Sequence, residues 1–148
     1  MKFCIQVVQN ASVDIDGIIV ASIDRGMLLL AGIGKDDNEA VADKMIAKLL
    51  KMRIFSDENG KTNLSLSDID GELLLVSQFT LYADCKHGNR PSFTDSMGPV
   101  RAKELYDYIA SQIKPLVRKL ETGVFGADMK VSLVNDGPFT VILDSADI

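Results

Sequence analysis

Three polar side chains, those of Ser77, Gln78 and Thr80, follow directly after the four large aliphatic residues 73–76. Four apolar residues in a row cannot alternate between core and solvent, so they predict a strand that is covered on both faces. A hydroxyl or amide at the exit of such a strand needs a hydrogen-bond partner or costs about 1–3 kcal/mol, and the rim of a pocket supplies partners. The competing interpretation is a strand end capped by hydroxyls.

The chemistry open to these residues is limited by what the rest of the chain lacks. His87 is the only histidine and lies in a Gly/Pro loop, so a Ser-His-Asp triad has little support. Cys4 and Cys85 are far apart, without a CxxC spacing, and are expected to be buried thiols rather than metal ligands. With no glycine-rich phosphate loop either, we expect neither a metal nor a cofactor. An ester is labile enough that positioning, backbone donors and water can suffice.

A second unusual stretch is Asn135-Asp136-Gly137-Pro138, between two apolar segments. It can be an ordinary tight connection between strands. Glycine, however, adopts conformations closed to other residues, and an X-Pro bond is cis in about 5–6% of cases, so a rigid tip could present its carbonyl oxygens in a fixed direction.

Composition restricts the class of protein. The chain has 148 residues, and 47% of them are hydrophobic. We therefore expect residues 1–148 to form one domain with a sizeable core. No run of about 18 apolar residues predicts a membrane span and no signal peptide is recognised, so we expect no membrane association and a cytoplasmic location. The net charge of −5 argues against coating of nucleic acid by charge alone. Two local basic clusters remain, Lys86, His87 and Arg90 in one loop and Lys114, Arg118 and Lys119 near a helix end.

The first half of the chain predicts strands and one helix. Residues 3–13 and 18–20 flank Asp16-Gly17, a strong hairpin signal, and residues 27–33 form another apolar run. Residues 37–52 carry apolar side chains at helical period, with Asp36 and Glu39 as an expected capping pair. Residues 54–70 read as turns and short extended pieces.

The second half predicts a helix and two strands. The helix begins near Pro99, and Pro115 should kink it or end it near Lys114. Its apolar stripe is expected to extend to Leu116. Residues 130–134 and 139–143 predict two strands joined by the Gly-Pro turn. The fold class expected is mixed α/β, with a layered mixed β-sheet and two main helices packed on one side.

Taken together, SQFTL at 77–81 and NDGPFT at 135–140 resemble the paired signatures of the D-aminoacyl-tRNA deacylases. The resemblance covers the whole chain, through QNASV at 9–13, HGNRPSF at 87–93 and FGADMKVSLVNDGP at 125–138. Each motif is weak by itself and the set is specific.

The resemblance implies a cytosolic homodimer that hydrolyses the ester joining a D-amino acid, and often glycine, to the 3′-terminal adenosine of tRNA, as chiral proofreading. It implies Ser77, Gln78, Phe79 and Thr80 on the catalytic side and a cis Gly137-Pro138 bond reaching in from the partner subunit. Lys86 and Arg90 become possible tRNA contacts, whereas DNA is not an expected partner. For the reaction, assistance of water by the terminal 2′-hydroxyl is favoured over attack by Thr80, which has no visible base.

Two positions depart from the family pattern. Gln6 is followed by Val7, where an arginine that helps to hold the Gly-Pro turn is common, and His87 stands where lysine is usual. A neutral histidine weakens a phosphate contact. Two alternatives stay open: a relaxed deacylase that also cleaves L-alanyl-tRNA, and a non-catalytic RNA or metabolite-binding module on the same scaffold.

Overall fold

The computed structural model describes residues 1–148, which form eight strands and two long helices. The strands are β1 (Lys2–Ile15), β2 (Ile18–Ile23), β3 (Gly26–Gly32), β4 (Phe55–Ser56), β5 (Thr62–Leu64), β6 (Glu72–Ser77), β7 (Lys119–Thr122) and β8 (Lys130–Asp144). The helices are α1 (Glu39–Lys51) and α2 (Pro99–Ile113), and shorter 3-10 turns lie at Phe79–Tyr82, Lys114–Leu116 and Ser145–Asp147.

Strand β1 organises the main sheet because three strands pair with it. The predicted hairpin joins β1 to β2, and its turn residues Asp16 and Gly17 have φ values of 53° and 82°. Strand β3 pairs antiparallel with the first half of β1, β2 pairs with the second half, and β8 pairs along its other edge. The short strands β4 and β5 form a separate hairpin.

Strand β6 is the interior parallel strand of the sheet, between β3 and β7. Its apolar residues 73–76 are at most 2% exposed, as predicted, and alternate between two cores. Leu73 and Leu75 face the core that contains both helices, whereas Leu74 and Val76 face a second core with residues of β1 and β2. The helices therefore cover one face of β6. Residues of β1 and β2 cover the other face, because the sheet curls over itself.

Both helices lie where the sequence predicts them, with two differences at their ends. The N-cap of α1 is Asn38, whose Oδ1 accepts a hydrogen bond from the Val41 amide at 3.1 Å, so the expected Asp36–Glu39 capping pair is wrong. Helix α2 begins at Pro99 and ends at Ile113. Leu116 is exposed, because the chain leaves the helix before it and turns the residue away from the core.

The C-terminal strand corrects a larger prediction. Residues 130–134 and 139–143 are not two strands joined by a turn, because they are parts of the single strand β8. Along β1, Gln6 pairs with Thr140 and Val8 with Asn135, so residues 136–139 face the single residue Val7. They leave the ladder as a bulge, here called the Gly-Pro bulge, and the strand then resumes in the same direction.

The mixed sheet with two helices on one side confirms the expected fold class. The cysteine prediction is wrong for Cys85, which is exposed, while Cys4 is half-buried and burial raises the pKa of its thiol. Neither helix is long and apolar enough to cross a membrane.

Candidate active site

The polar residues at the end of β6 lie where the backbone changes direction. The Gln78 amide still donates to the Ala31 carbonyl at 2.8 Å, continuing the pairing with β3. The chain then enters the 3-10 turn 79–82, in which the Leu81 amide donates to the Gln78 carbonyl at 3.3 Å. This bend removes the strict alternation of an extended strand, so that Ser77, Gln78 and Phe79 line one cavity.

That cavity, here called the β6 cleft, has a volume of about 600 Å³. The polar turn forms one side of it, and the first turn of α2, with Pro99 and Ala102, forms another. Mostly hydrophobic side chains with a few polar groups at one end are typical of small-molecule sites. Its full lining is Ala31, Ile33, Val76, Ser77, Gln78, Phe79, Ser96, Met97, Pro99, Ala102, Phe125, Gly126, Ala127, Asp128, Met129 and Val131.

The wall formed by residues 125–129 was not predicted as part of a site. Phe125 packs against Tyr106 of α2, with ring centroids 5.7 Å apart, and Gly126 has a φ of 78° that suits glycine. The Tyr106 hydroxyl in turn donates to the Leu75 carbonyl at 2.8 Å. In the sequence, this wall corresponds to the FGADM segment, which indicates a site only through the family resemblance.

Thr80 is exposed and is not among the residues that line the β6 cleft. Its Oγ1 accepts a short hydrogen bond from Gln78 Nε2, so the two predicted catalytic side chains are coupled to each other. The hydroxyl has no hydrogen bond to a basic side chain in this chain. Phe79, which is 56% exposed, packs edge-on against Phe93 at 5.1 Å and so ties the turn to the 86–93 loop.

The far end of the 3-10 turn is fixed by Tyr82. Its hydroxyl donates to Asp37 Oδ2 at 3.4 Å, and the same oxygen accepts the Gly34 amide at 2.6 Å. Burial and the nearby Asp37 carboxylate raise the pKa of Tyr82, which keeps the phenol neutral. A Cβ on Gly34 would lie 2.6 Å from the Tyr82 hydroxyl, so only glycine permits this contact.

The structure does not bring Gly137 and Pro138 to the β6 cleft of their own chain. Both are exposed, and neither lines the cleft. The Gly137-Pro138 peptide bond is cis, as expected, and Gly137 has a φ of 135°. The two predicted halves of the site are therefore separate within one chain.

A set of polar side chains, here called the amide clasp, holds the base of the Gly-Pro bulge. Asn135 Oδ1 accepts the Phe139 amide at 2.9 Å, and Asn135 Nδ2 donates to Thr140 Oγ1 at 3.0 Å. From β1, Gln6 Nε2 donates to Thr140 Oγ1 at 3.3 Å and Gln9 Nε2 donates to Asp136 Oδ1 at 3.3 Å. None of these four hydrogen bonds is predicted from the sequence.

Residues 86–92, which include Lys86, His87 and Arg90, are all exposed and lie outside the cleft lining. A bridge between Asp84 and Ser92 closes the base of this loop, and Asp84 Oδ1 accepts the Lys86 amide at 2.9 Å. The loop is therefore free to present its cations to a partner.

Comparison with known proteins gives consistent results. The family described as D-Tyr-tRNA(Tyr) deacylase matches residues 4–144. A D-aminoacyl-tRNA deacylase of Thermosipho africanus is 53% identical over 148 residues, covering 100% of this chain and 99% of that protein. One of Lactobacillus acidophilus is 55% identical over 144 residues, covering 97% and 99%.

Among solved structures, the c-Myc DNA Unwinding Element Binding Protein superposes with a TM-score of 0.93 at 37% identity, covering 97% of this chain and 98% of that one. A probable eukaryotic D-amino acid tRNA deacylase superposes with a TM-score of 0.82 at 17% identity, covering 96% and 97%, which supports the fold alone.

Proposed function

The chain belongs to the D-Tyr-tRNA(Tyr) deacylase family, and on that premise we propose that residues 1–148 act as one domain that hydrolyses the ester of D-aminoacyl-tRNA. The products are the free D-amino acid and tRNA, and glycyl-tRNA is a second substrate. The observation that carries this proposal is the β6 cleft, whose polar turn faces hydrophobic walls. Its volume of about 600 Å³ suits an aminoacylated terminal adenosine better than a longer stretch of RNA.

The 3-10 turn supplies the groups that a carbonyl under attack needs. Its first internal hydrogen bond runs from the Leu81 amide to the Gln78 carbonyl, so the Phe79 and Thr80 amides have no acceptor within the turn. Backbone amides aimed at a developing oxyanion stabilise it without reorganisation. Ser77 and the Gln78–Thr80 pair position the ester, and water assisted by the terminal 2′-hydroxyl attacks it.

We propose that a second copy of the chain completes the site. The exposed Gly137 and Pro138 have no role in the cleft of their own chain. Strand β8 pairs only with β1, so its other edge is unpaired, and its side chains include Val134 and Ile142, which are 47% and 59% exposed. A long edge strand with exposed apolar side chains is normally covered, and a twofold pair covers both edges at once.

Chirality is then sensed by backbone at Gly137-Pro138 of the partner. A site that accepts many D-amino acids cannot use a fitted side-chain pocket, which would discriminate by about 1–3 kcal/mol per methylene. Carbonyl oxygens near Cα exclude the L-isomer and admit glycine. The amide clasp fixes this bulge in a chain that has Val7 in place of the arginine, which favours the strict deacylase over the relaxed one.

Lys86 and Arg90 contact tRNA phosphates, the nucleic-acid partner is tRNA rather than DNA, and the reaction takes place in the cytoplasm without a metal or cofactor.

A deacylation assay with matched D- and L-aminoacyl-tRNA tests the function. We expect rapid release from D-aminoacyl-tRNA and glycyl-tRNA, slow release from L-alanyl-tRNA, and no effect of EDTA on tRNA that is already folded. Comparable rates on D- and L-alanyl-tRNA would identify the relaxed enzyme. Full retention of the D-amino acid on tRNA would identify a non-catalytic binding module.

A further inference from the structure

Helix α1 carries three lysines on one exposed face, at positions 44, 48 and 51. Spacings of four and three residues bring Lys44, Lys48 and Lys51 into a row about 10 Å long, here called the lysine face. Like charges at these spacings destabilise an isolated helix by about 0.2–0.5 kcal/mol per pair. The helix dipole offsets this cost for Lys48 and Lys51 in the last turn but not for Lys44.

No acidic side chain neutralises the lysine face. Both acidic residues of α1 interact with α2. Glu39 accepts a hydrogen bond from Arg101 Nη2 at 2.6 Å, and Asp43 accepts one from the Tyr108 hydroxyl at 2.8 Å. The three lysines form no ion pair with any residue of the chain, which sets them apart from the cations of α2. There Arg101 pairs with Glu39 and Glu104, and Lys103 pairs with Asp107.

The position of α1 relates this face to the β6 cleft. The first residue of α1, Glu39, is tied to Arg101, which lies between the cleft residues Pro99 and Ala102. From there α1 extends about 18 Å to Lys51, with the lysines on its outer side. A polyanion whose end occupies the cleft can therefore lie along the helix.

We propose that the lysine face binds the phosphate backbone of the tRNA acceptor arm while the aminoacylated 3′ end occupies the β6 cleft. This inference rests on the proposed function, because that function supplies the RNA. A chain with a net charge of −5 repels RNA on average, so it needs a local row of unpaired cations to hold one. The lysine face is such a row, and phosphate contacts position the RNA without reading its sequence.

The test replaces Lys44, Lys48 and Lys51 together by Gln, which keeps helix propensity and removes three charges. The matched control replaces Arg25, Lys61 and Lys103 by Gln, with the same change in charge at exposed positions outside both basic clusters and the lysine face. Circular dichroism and thermal unfolding verify that both variants fold. Binding of deacylated tRNA is measured by fluorescence anisotropy at several salt concentrations. Deacylation is measured on full-length D-aminoacyl-tRNA and on a D-aminoacyl-adenosine ester.

For the lysine-face variant we expect tRNA affinity to fall about tenfold or more, with a salt dependence shallower by about 2 to 3 in log–log slope. Its kcat/KM should fall on full-length tRNA and stay unchanged on the adenosine ester, and the control should behave like the parent on both. Unchanged tRNA binding, an equal loss in the control, or an equal loss on the small ester would overturn the inference. So would binding to anionic lipid vesicles that the variant loses while its tRNA binding is intact.

The two proposals fail in different ways. If the parent protein cleaves neither substrate, the proposed function is wrong, and the binding of deacylated tRNA still decides whether the lysine face holds RNA. If the parent cleaves both substrates and the variant equals it on tRNA, only the lysine face is wrong.

Discussion

Val7 shows how one residue changes the way a loop is held. It is 6% exposed and belongs to the helix-side core, against which Phe139 of the Gly-Pro bulge also packs. The base of the bulge is thus anchored by apolar packing against the core to which Val7 belongs. The amide clasp, formed by neighbours of Val7 on β1 and by residues of β8, supplies the polar contacts.

The role of Thr80 is decided by the size of the effect of its removal. A true nucleophile replaced by Ala should lose nearly all catalysis, whereas loss of one positioning hydroxyl should cost a few kcal/mol, or on the order of 10²-fold in kcat. We expect the smaller loss for Thr80→Ala, because its hydroxyl is bonded to Gln78 and has no base. Single-turnover kinetics measure it, with Ser92→Ala as a control hydroxyl, and a trapped acyl-enzyme on Thr80 would contradict it.

Asn135 tests whether the amide clasp sets selectivity. Asn135→Ala removes the acceptor of the Phe139 amide and a donor to Thr140, and should lower the free energy of unfolding by about 1 kcal/mol. The loosened bulge should admit the L-isomer, so the ratio of kcat/KM for D- over L-alanyl-tRNA should fall while the rate on the D-substrate changes little. Asn63→Ala, on the distant β5 strand, is the control. An unchanged ratio would mean that the bulge keeps its shape without the clasp.

At the scale of elements, the sequence predicts what local pattern determines. The Asp-Gly hairpin, the continuous apolar run of β6 and the Pro99 start of α2 all follow from the residues at those positions. The same logic failed at β8, where Asn-Asp-Gly-Pro has turn chemistry. Both flanking segments pair with one uninterrupted strand, β1, and this long-range partner keeps them in one direction. No local signal reports such pairing.

Helix α2 and strand β6 are joined by Tyr106, which is 3% exposed. Its hydroxyl donates to the Leu75 carbonyl, which also accepts the Gly123 amide at 2.9 Å. Tyr106→Phe leaves that carbonyl bonded, so near neutral pH we expect a loss of only about 0.5–1.5 kcal/mol in the free energy of unfolding. Urea unfolding measures this loss, and a loss of several kcal/mol would contradict it.

Tyr106 also predicts a dependence on alkaline pH. Burial raises the pKa of its phenol, so the folded protein keeps the proton when the unfolded chain releases it near pH 10. The raised folded pKa contributes stability that is fully present below about pH 10 and is lost as pH rises further, at about 1.4 kcal/mol per pH unit. Tyr106→Phe should reduce this slope. A parent and variant with the same slope from pH 10 to 11 would contradict the assignment.

At the scale of the whole molecule, the proposed site extends over two chains, and composition and periodicity cannot report such an arrangement. Periodicity marks which residues are buried in the chain itself, whereas a second copy is indicated by residues left exposed.

Ile142 of β8 provides the test. Ile142→Lys places a charge on the edge proposed to pair and should convert dimers to monomers with loss of activity. The control is Ile19→Lys, at an isoleucine of β2 that is 65% exposed. This variant should remain a dimer in sedimentation velocity and should keep its deacylase activity.

Mixing two variants of strongly reduced activity tests whether the two copies share each site. Thr80→Ala damages the catalytic side, and Gly137→Ala damages the bulge, because its φ of 135° disfavours alanine and the new Cβ would lie 3.0 Å from the Phe139 amide nitrogen. If each site combines Thr80 of one subunit with Gly137 of the other, the heterodimer has one site with both changes and one site with neither.

Random re-association makes half of the dimers mixed, each with one intact site of two, so activity should return to about a quarter of the parent level. If Thr80 and Gly137 of the same chain formed a site, every site in the mixture would carry one change and no activity would return. A mixture no more active than the sum of its separate components would therefore contradict the shared site, provided that subunit exchange is verified by mass.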